Sequence, residues 1–194
     1  NKFPSFSPEG DQILFCSAAG SHFGIYLTDL EGREIKKIVS DQFENSFPAF
    51  APNGKEIIYT TWRYDTNEDG VIDFRDNSAI YIADLEGGAR GEPQERMLVS
   101  DKFDSSYPQI SPDGRRVAFL SRRRDTNGDG VINSLDNPGI YVAGINGRGE
   151  KMVVDDAYFN KFISWGPDSK KICYLSGGSI KKETGERAYF EKKG

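Results

Sequence analysis

The sequence predicts an all-β chain made of repeated four-stranded antiparallel units, and three observations carry this. Apolar periodicity of helical type is nearly absent from the 194 residues, while Phe, Tyr and Gly are plentiful. One aromatic phrase recurs four times, as FPSFSPEG from Phe3, FPAFAPNG from Phe47, YPQISPDG from Tyr107 and FISWGPDS from Phe162. The same succession of short apolar runs and turns follows each copy.

Taken in order, each repeat reads as strands A to D. After the aromatic phrase comes a first apolar run: Ile13-Leu-Phe-Cys, Ile57-Ile-Tyr-Thr, Val117-Ala-Phe-Leu and Ile172-Cys-Tyr-Leu. A second run shares a tyrosine, as Gly24-Ile-Tyr26-Leu, Ala79-Ile-Tyr81-Ile, Gly139-Ile-Tyr141-Val and Arg187-Ala-Tyr189-Phe. Turns follow at Leu30-Glu-Gly, Leu85-Glu-Gly and Ile145-Asn-Gly, then a third run at Lys37-Ile-Val-Ser, Met97-Leu-Val-Ser and Met152-Val-Val-Asp. Units of ~40–50 residues with four strands each are the signature of propeller blades. An irregular β-sandwich does not produce four copies in register. The fold class is therefore all-β, a β-propeller of four-stranded antiparallel blades. Its single domain spans 1–194, with repeats 3–46, 47–106, 107–161 and 162–194. The fourth repeat stops about where a fourth strand is due. That leaves roughly 3.5–4 blades and reads as part of a larger propeller, with an imperfectly closed four-blade ring as the alternative. With no initiator Met or signal peptide, the chain reads as a processed product or a piece of a longer one.

Phrase starts lie 44, 60 and 55 residues apart, so the second and third repeats are lengthened. The extra residues lie between strands B and C and contain one motif twice, DTNEDGVIDFRDN at 65–77 and DTNGDGVINSLDN at 125–137. Oxygen-bearing side chains occupy loop positions 1, 3, 5, 9 and 12. In the first loop these are Asp65, Asn67, Asp69, Asp73 and Asp76; in the second, Asp125, Asn127, Asp129, Asn133 and Asp136. Gly70 and Gly130 hold position 6, and Val71 and Val131 offer a backbone carbonyl at position 7. A hard divalent cation that takes six to eight oxygens needs this pattern of alternate inward side chains and one sharp turn. Asp, Asn and Gly also favour turns in general. Turn propensity alone does not match two loops at five of five positions. The reading is two calcium sites.

These loops resemble the calcium loop of EF-hands, and more closely that of dockerins, which carry Asp at position 12. Both resemblances stop at the loop. Asn77-Ser-Ala-Ile-Tyr-Ile and Asn137-Pro-Gly-Ile-Tyr-Val lead into strands, and Pro138 blocks a helix. A structural clip is expected, not a sensor switch. The repeats themselves resemble those of TolB-like (WD40-like) β-propellers, best at Ser111-Pro-Asp-Gly114 and least at Gly166-Pro-Asp-Ser169. The resemblance covers nearly the whole chain and implies binding or scaffolding. It also allows a non-catalytic propeller domain of a larger hydrolase or lyase.

Charge and composition narrow the function. The formal charge is −5 and 37% of residues are hydrophobic, with no apolar run long enough to cross a membrane. One histidine, His22, stands in a loop and reads as a surface residue. No Gly-x-Ser-x-Gly elbow or phosphate-binding glycine loop occurs. The chain is thus not read as an enzyme. Arg122-Arg123-Arg124 is read as a solvated, ion-paired rim rather than a nucleic-acid patch. Cys16 and Cys173 are read as two buried thiols, with a disulfide as the alternative.

In an up-and-down blade the B–C and D–A connections share one face. That face is expected to gather both calcium loops and the acidic stretches Ser40-Asp-Gln-Phe-Glu-Asn and Ser100-Asp-Lys-Phe-Asp-Ser. The expected partner is a protein or further blades of the same polypeptide, with no nucleic acid and no membrane insertion. Calcium loops of this kind suit a periplasmic or extracellular location, and the source reads as bacterial.

Overall fold

Each repeat folds into one antiparallel sheet. The computed structural model describes residues 1–18, 22–39, 42–86, 94–155, 157–177 and 187–192, among which there is no helix. Ser40 and Asp41 of the first acidic stretch, Gly87 of the second turn, and Lys181, Lys182 and Lys193 lie outside them. The first blade holds β1 (Lys2–Phe6), β2 (Gln12–Ala18), β3 (Phe23–Asp29) and β4 (Ile35–Val39). The second holds β5 (Glu44–Phe50), β6 (Glu56–Trp62), β7 (Ala79–Asp84) and β8 (Glu95–Val99). The third holds β9 (Asp104–Ile110), β10 (Arg116–Arg122), β11 (Gly139–Gly144) and β12 (Lys151–Val154). The fourth has β13 (Phe159–Trp165), β14 (Lys171–Gly177) and β15 (Arg187–Lys192). In every sheet the strands are hydrogen-bonded in sequence order.

Blades pack face to face, so their second and third strands are covered on both sides. This is why they read as continuous apolar runs rather than as alternation. Tyr59 and Tyr81 of blade two pack on Leu14 and Ile25 of blade one. On the other face, Ile58 and Ile80 meet Phe119 and Tyr141 of blade three. Ile140 and Leu120 then meet Tyr174 of blade four. The first two inter-blade layers repeat the same aromatic pair: Tyr59–Tyr81 with ring centroids 6.2 Å apart, and Phe119–Tyr141 at 6.0 Å.

The recurring aromatic phrase begins within strand A of each blade, as its place ahead of strand B implied. Phe3, Phe47, Tyr107 and Phe162 have φ of 53°, 52°, 54° and 54°, left-handed values that L-residues avoid. Each sits where the strand register shifts by a bulge. Such a residue costs about 1–2 kcal/mol. Ring contacts help to offset it, with Phe3 tilted on Phe47 at a centroid distance of 4.3 Å and Phe47 stacked on Tyr107 at 3.7 Å. The repeat boundaries at Phe47, Tyr107 and Phe162 therefore fall inside β5, β9 and β13. The acidic connections are correspondingly shorter than the sequence suggested, because Glu44 and Asp104 already begin the inner strands.

The Ser-Pro-Asp-Gly turn shows why those residues recur. Ser111 Oγ donates to Asp113 Oδ1 at 2.6 Å and accepts from the Arg116 amide at 3.0 Å. Gly114, at φ 70°, closes the turn onto the Ser111 carbonyl at 2.8 Å. The Ser111 hydroxyl, then the Arg115 amide, hold the Asp113 carboxyl below the ordinary carboxylate value of 3.8. A depressed value means that the turn's gain is whole above that pH and lost as pH falls through the lower, folded value. In an NMR titration the Asp113 carboxyl should therefore show a midpoint below 3.8, and Ser111→Ala should move it up. An unchanged midpoint in the variant would remove the hydroxyl from this account.

One expectation about side chains is corrected here. Arg122 and Arg123 are not solvated: their side chains are 14% and 17% exposed, paired with Asp104 at 2.6 Å and Glu150 at 2.5 Å. Arg123 lies over the Tyr141 ring, 3.9 Å from its centroid, and Arg63 lies over Tyr81 at 4.5 Å. A tyrosine face at the start of strand C draws the preceding guanidinium inward. Only Arg124 is exposed. The two cysteines are free thiols, as read from the sequence; Cys173 is half-buried, and burial pushes the Cys16 thiol up to about 12.

Candidate functional site

The two long loops leave the ends of β6 and β10 and return at β7 and β11. They meet the next connection on the same face, where the Asn77 side-chain amide donates to the Lys102 carbonyl at 3.4 Å. Their internal hydrogen bonds nearly coincide. At position 1, Asp65 accepts from the amides of Asp69 and Gly70 at 3.1 and 2.8 Å, and Asp125 accepts from Gly128, Asp129 and Gly130 at 2.6, 3.2 and 2.8 Å. Position 3 accepts from the amide at position 5, 2.9 Å in both loops, through Asn67 and Asn127. Position 5 accepts from the amide at position 7, again 2.9 Å in both, through Asp69 and Asp129. Position 9 accepts from the amide at position 11, 2.8 Å, through Asp73 and Asn133. Gly70 and Gly130, at φ 82° and 86°, make the sharp turn that a Cβ would oppose. Val71 and Val131 expose their side chains at 52% and 56%.

Position 12 does more than the sequence indicated. Asp76 and Asp136 are 3% and 0% exposed. Asp76 Oδ1 accepts from the Thr66 amide at 2.7 Å, the Asn67 amide at 3.1 Å and the Thr66 hydroxyl at 3.2 Å, while Oδ2 accepts from the Asp73 amide at 2.9 Å. Asp136 repeats the set with Thr126, Asn127 and Asn133 at 2.6, 3.3 and 2.9 Å, and the Thr126 hydroxyl at 3.0 Å. Burial pushes the Asp136 carboxyl up, but these donors outweigh it and hold it below 3.8. Each carboxylate thus clasps the two ends of its loop together. The sequence reading missed Thr66 and Thr126, whose hydroxyls also accept from the amides of Asn77 and Asn137 at 2.7 Å. Their recurrence at position 2 of both copies was the available signal.

The loops differ at position 11. Arg75 forks onto Asp73 at 2.7 Å and reaches Asp69 at 3.2 Å, and its guanidinium, then its amide, hold the Asp73 carboxyl below the usual range. The second loop has Leu135 there, 74% exposed, as is Phe74 in the first. Among the described residues no three His, Cys, Asp or Glu side chains converge as a metal-holding group. In both loops the side-chain oxygens turn to nearby amides, and in the first also to Arg75.

Two further features complete the candidate surfaces. A cavity of about 390 Å³ beside the second loop is lined by Arg124, Asp125, Thr126, Asn137, Asp155 and Ala157. A groove of about 400 Å³ runs across the inner strands and is lined by the four bulge aromatics. His22 lies 3.6 Å from Glu44, and among the described residues it joins no nucleophile.

No protein-family model matches the chain. It is 32% identical to dipeptidyl-peptidase 5 of Porphyromonas gingivalis over 130 residues, 66% of this chain and 17% of that protein. It is 25% identical to the Tol-Pal system protein TolB of Francisella tularensis over 64% of this chain and 36% of TolB. The solved putative TolB of Agrobacterium tumefaciens superposes with a TM-score of 0.74 at 21% identity, covering 99% of this chain and 61% of that one. The fold is a TolB-like β-propeller. The chain spans about a third of the TolB relative and about a sixth of the peptidase. Among the described residues no helix is long and apolar enough to cross a membrane.

Proposed function

We propose that this chain is a calcium-binding TolB-like propeller module, one propeller domain or segment, that binds or scaffolds protein within an exported protein or assembly. The observation that carries this reading is the pair of loops with the same oxygen pattern and the same internal hydrogen bonds. Hard oxygens at positions 1, 3, 5 and 9, together with the carbonyls of Val71 and Val131, suit calcium's preference. Asp65, Asn67, Asp69 and Asp73 would hold the ion in the first loop, and Asp125, Asn127, Asp129 and Asn133 in the second. Asp76 and Asp136 would complete each site from their clasping positions. The ion would supply charge neutralisation and rigidity, not acid–base chemistry. No catalytic, nucleic-acid or membrane-inserting role is proposed.

The two sites should not be equal. In the first loop calcium must draw Asp69 and Asp73 away from Arg75, so Arg75→Gln is expected to raise calcium affinity there more than at the second loop. Isothermal titration should find two ions per chain, with Asp65→Ala and Asp125→Ala each removing one. Magnesium, which demands tight octahedral geometry and keeps its waters, should bind more weakly. No heat of calcium binding at millimolar concentration would overturn the reading.

A periplasmic or extracellular location goes with it, because loops of this type in extracellular modules suit millimolar calcium. A second reading rests on the likeness to dipeptidyl-peptidase 5: the chain would be the non-catalytic propeller of a larger hydrolase or lyase. A catalytic domain in the polypeptide that carries this chain would decide for it.

A further inference from the structure

We infer that Asp104 and Arg122 join the two loops into one coupled unit, so that ordering either loop favours order in the other. This rests on the calcium reading only for its ligand; the bridge itself is in the side-chain geometry. The first loop ends at Asp76, and two residues later Ser78 Oγ lies 2.7 Å from Asp104 Oδ1. Asp104 Oδ2 accepts from Arg122 Nη1 at 2.6 Å. Arg122 Nε then donates to the backbone carbonyl of Asp136, the last residue of the second loop, at 3.0 Å. The side chains of Ser78, Asp104 and Arg122 therefore link the backbone just after the clasp of the first loop to the backbone of the clasp residue of the second. This link crosses from blade two to blade three, and its central pair is only 16% and 14% exposed.

The register shows that this pair is not a general feature of the repeat. Arg122 faces Asp104 across β9 and β10. The same register position holds Glu44 opposite Trp62 in blade two and Phe159 opposite Gly177 in blade four. The ion pair stands at the one junction that separates two loop-bearing blades. Arg122 suits the task because its guanidinium presents Nη1 and Nε to two acceptors at once. A lysine keeps the charge opposite Asp104 but has no planar fork to hold both. Asp104 and Arg122 are thus positioning residues, acting on the loops without contributing to either oxygen set.

Calcium titration of single-loop variants tests the coupling. In an otherwise unaltered chain, Asp65→Ala should weaken calcium binding at the second loop by about 5- to 10-fold, and Asp125→Ala should weaken the first loop by the same factor, since coupling between sites is reciprocal. In the Arg122→Lys background both factors should fall to about one, with Asp104→Asn as a second test of the same bridge. Hydrogen exchange without calcium gives an independent readout. Arg122→Lys should speed exchange of the Thr66 and Asn67 amides in the first loop, which Arg122 does not touch, as well as those of Thr126 and Asn127. If the chain binds no calcium but both loops respond in exchange, the coupling stands and the metal reading falls. If calcium binds with equal affinity whether or not the other loop is intact, and exchange changes in the second loop alone, the coupling is overturned.

Discussion

Phe119→Ala is expected to lower stability by about 3–5 kcal/mol, the usual range for emptying a buried aromatic site. At about 2–4 °C per kcal/mol for a chain of this size, that is a fall of roughly 6–20 °C in Tm. Phe119 is fully buried, and it packs with Tyr141 against Ile58 and Ile80 of the preceding blade. Neighbouring blades meet through such layers, so a cavity here loosens two blades at once. Phe15 holds the same repeat position in blade one and stacks on Tyr26 with centroids 5.8 Å apart, but it is only partly buried. Phe15→Ala should accordingly cost less than half as much in a denaturant titration. Equal losses at the two positions would show that packing within a blade, not between blades, governs stability.

The same contrast marks what the sequence could disclose. Strands B and C were legible because Ile57-Ile-Tyr and Ala79-Ile-Tyr are buried on both faces and leave an uninterrupted apolar run. The loop positions were legible because their chemistry repeats at fixed spacing. The left-handed backbone at Phe47 and Tyr107 was not, since an aromatic before proline ordinarily predicts extended backbone; the contact of their rings in space, which helps to offset its cost, joins residues of different repeats. Nor was the fate of Arg122 legible. In sequence it belongs to a basic triplet beside an acidic loop, whereas its partners Asp104 and Asp136 come from opposite sides along the chain. The second role of Asp76 and Asp136 was hidden for a related reason: a carboxylate at position 12 serves a cation and a loop clasp with the same atoms, and only burial separates the two.

Calcium is expected to raise stability by about 2.7 kcal/mol per site when present at about 100-fold over the dissociation constant, because binding to the folded state alone adds RT ln(1 + [L]/Kd). The electrostatics favour this. The first loop carries Asp65, Asp69, Asp73 and Asp76, with Arg75 as its only internal cation, and the second carries Asp125, Asp129 and Asp136 with none. Like charges about 4 Å apart repel by on the order of a few kcal/mol under partial screening. Chelation should therefore lower Tm and open the loops locally, since their side chains are mostly exposed while the adjoining strands are buried. Trypsin provides a sharp reporter: Arg75 lies within the first loop with its side chain 55% exposed, and exposed Arg124 immediately precedes the second. With a calcium chelator, cleavage should appear within 63–78 and 123–138, while the blade strands resist. Calcium should suppress both cuts, and equimolar magnesium should do so poorly. If chelator changed neither Tm nor loop cleavage, the motifs would be turns held by their own amides, with Asp76 and Asp136 as clasps and nothing more.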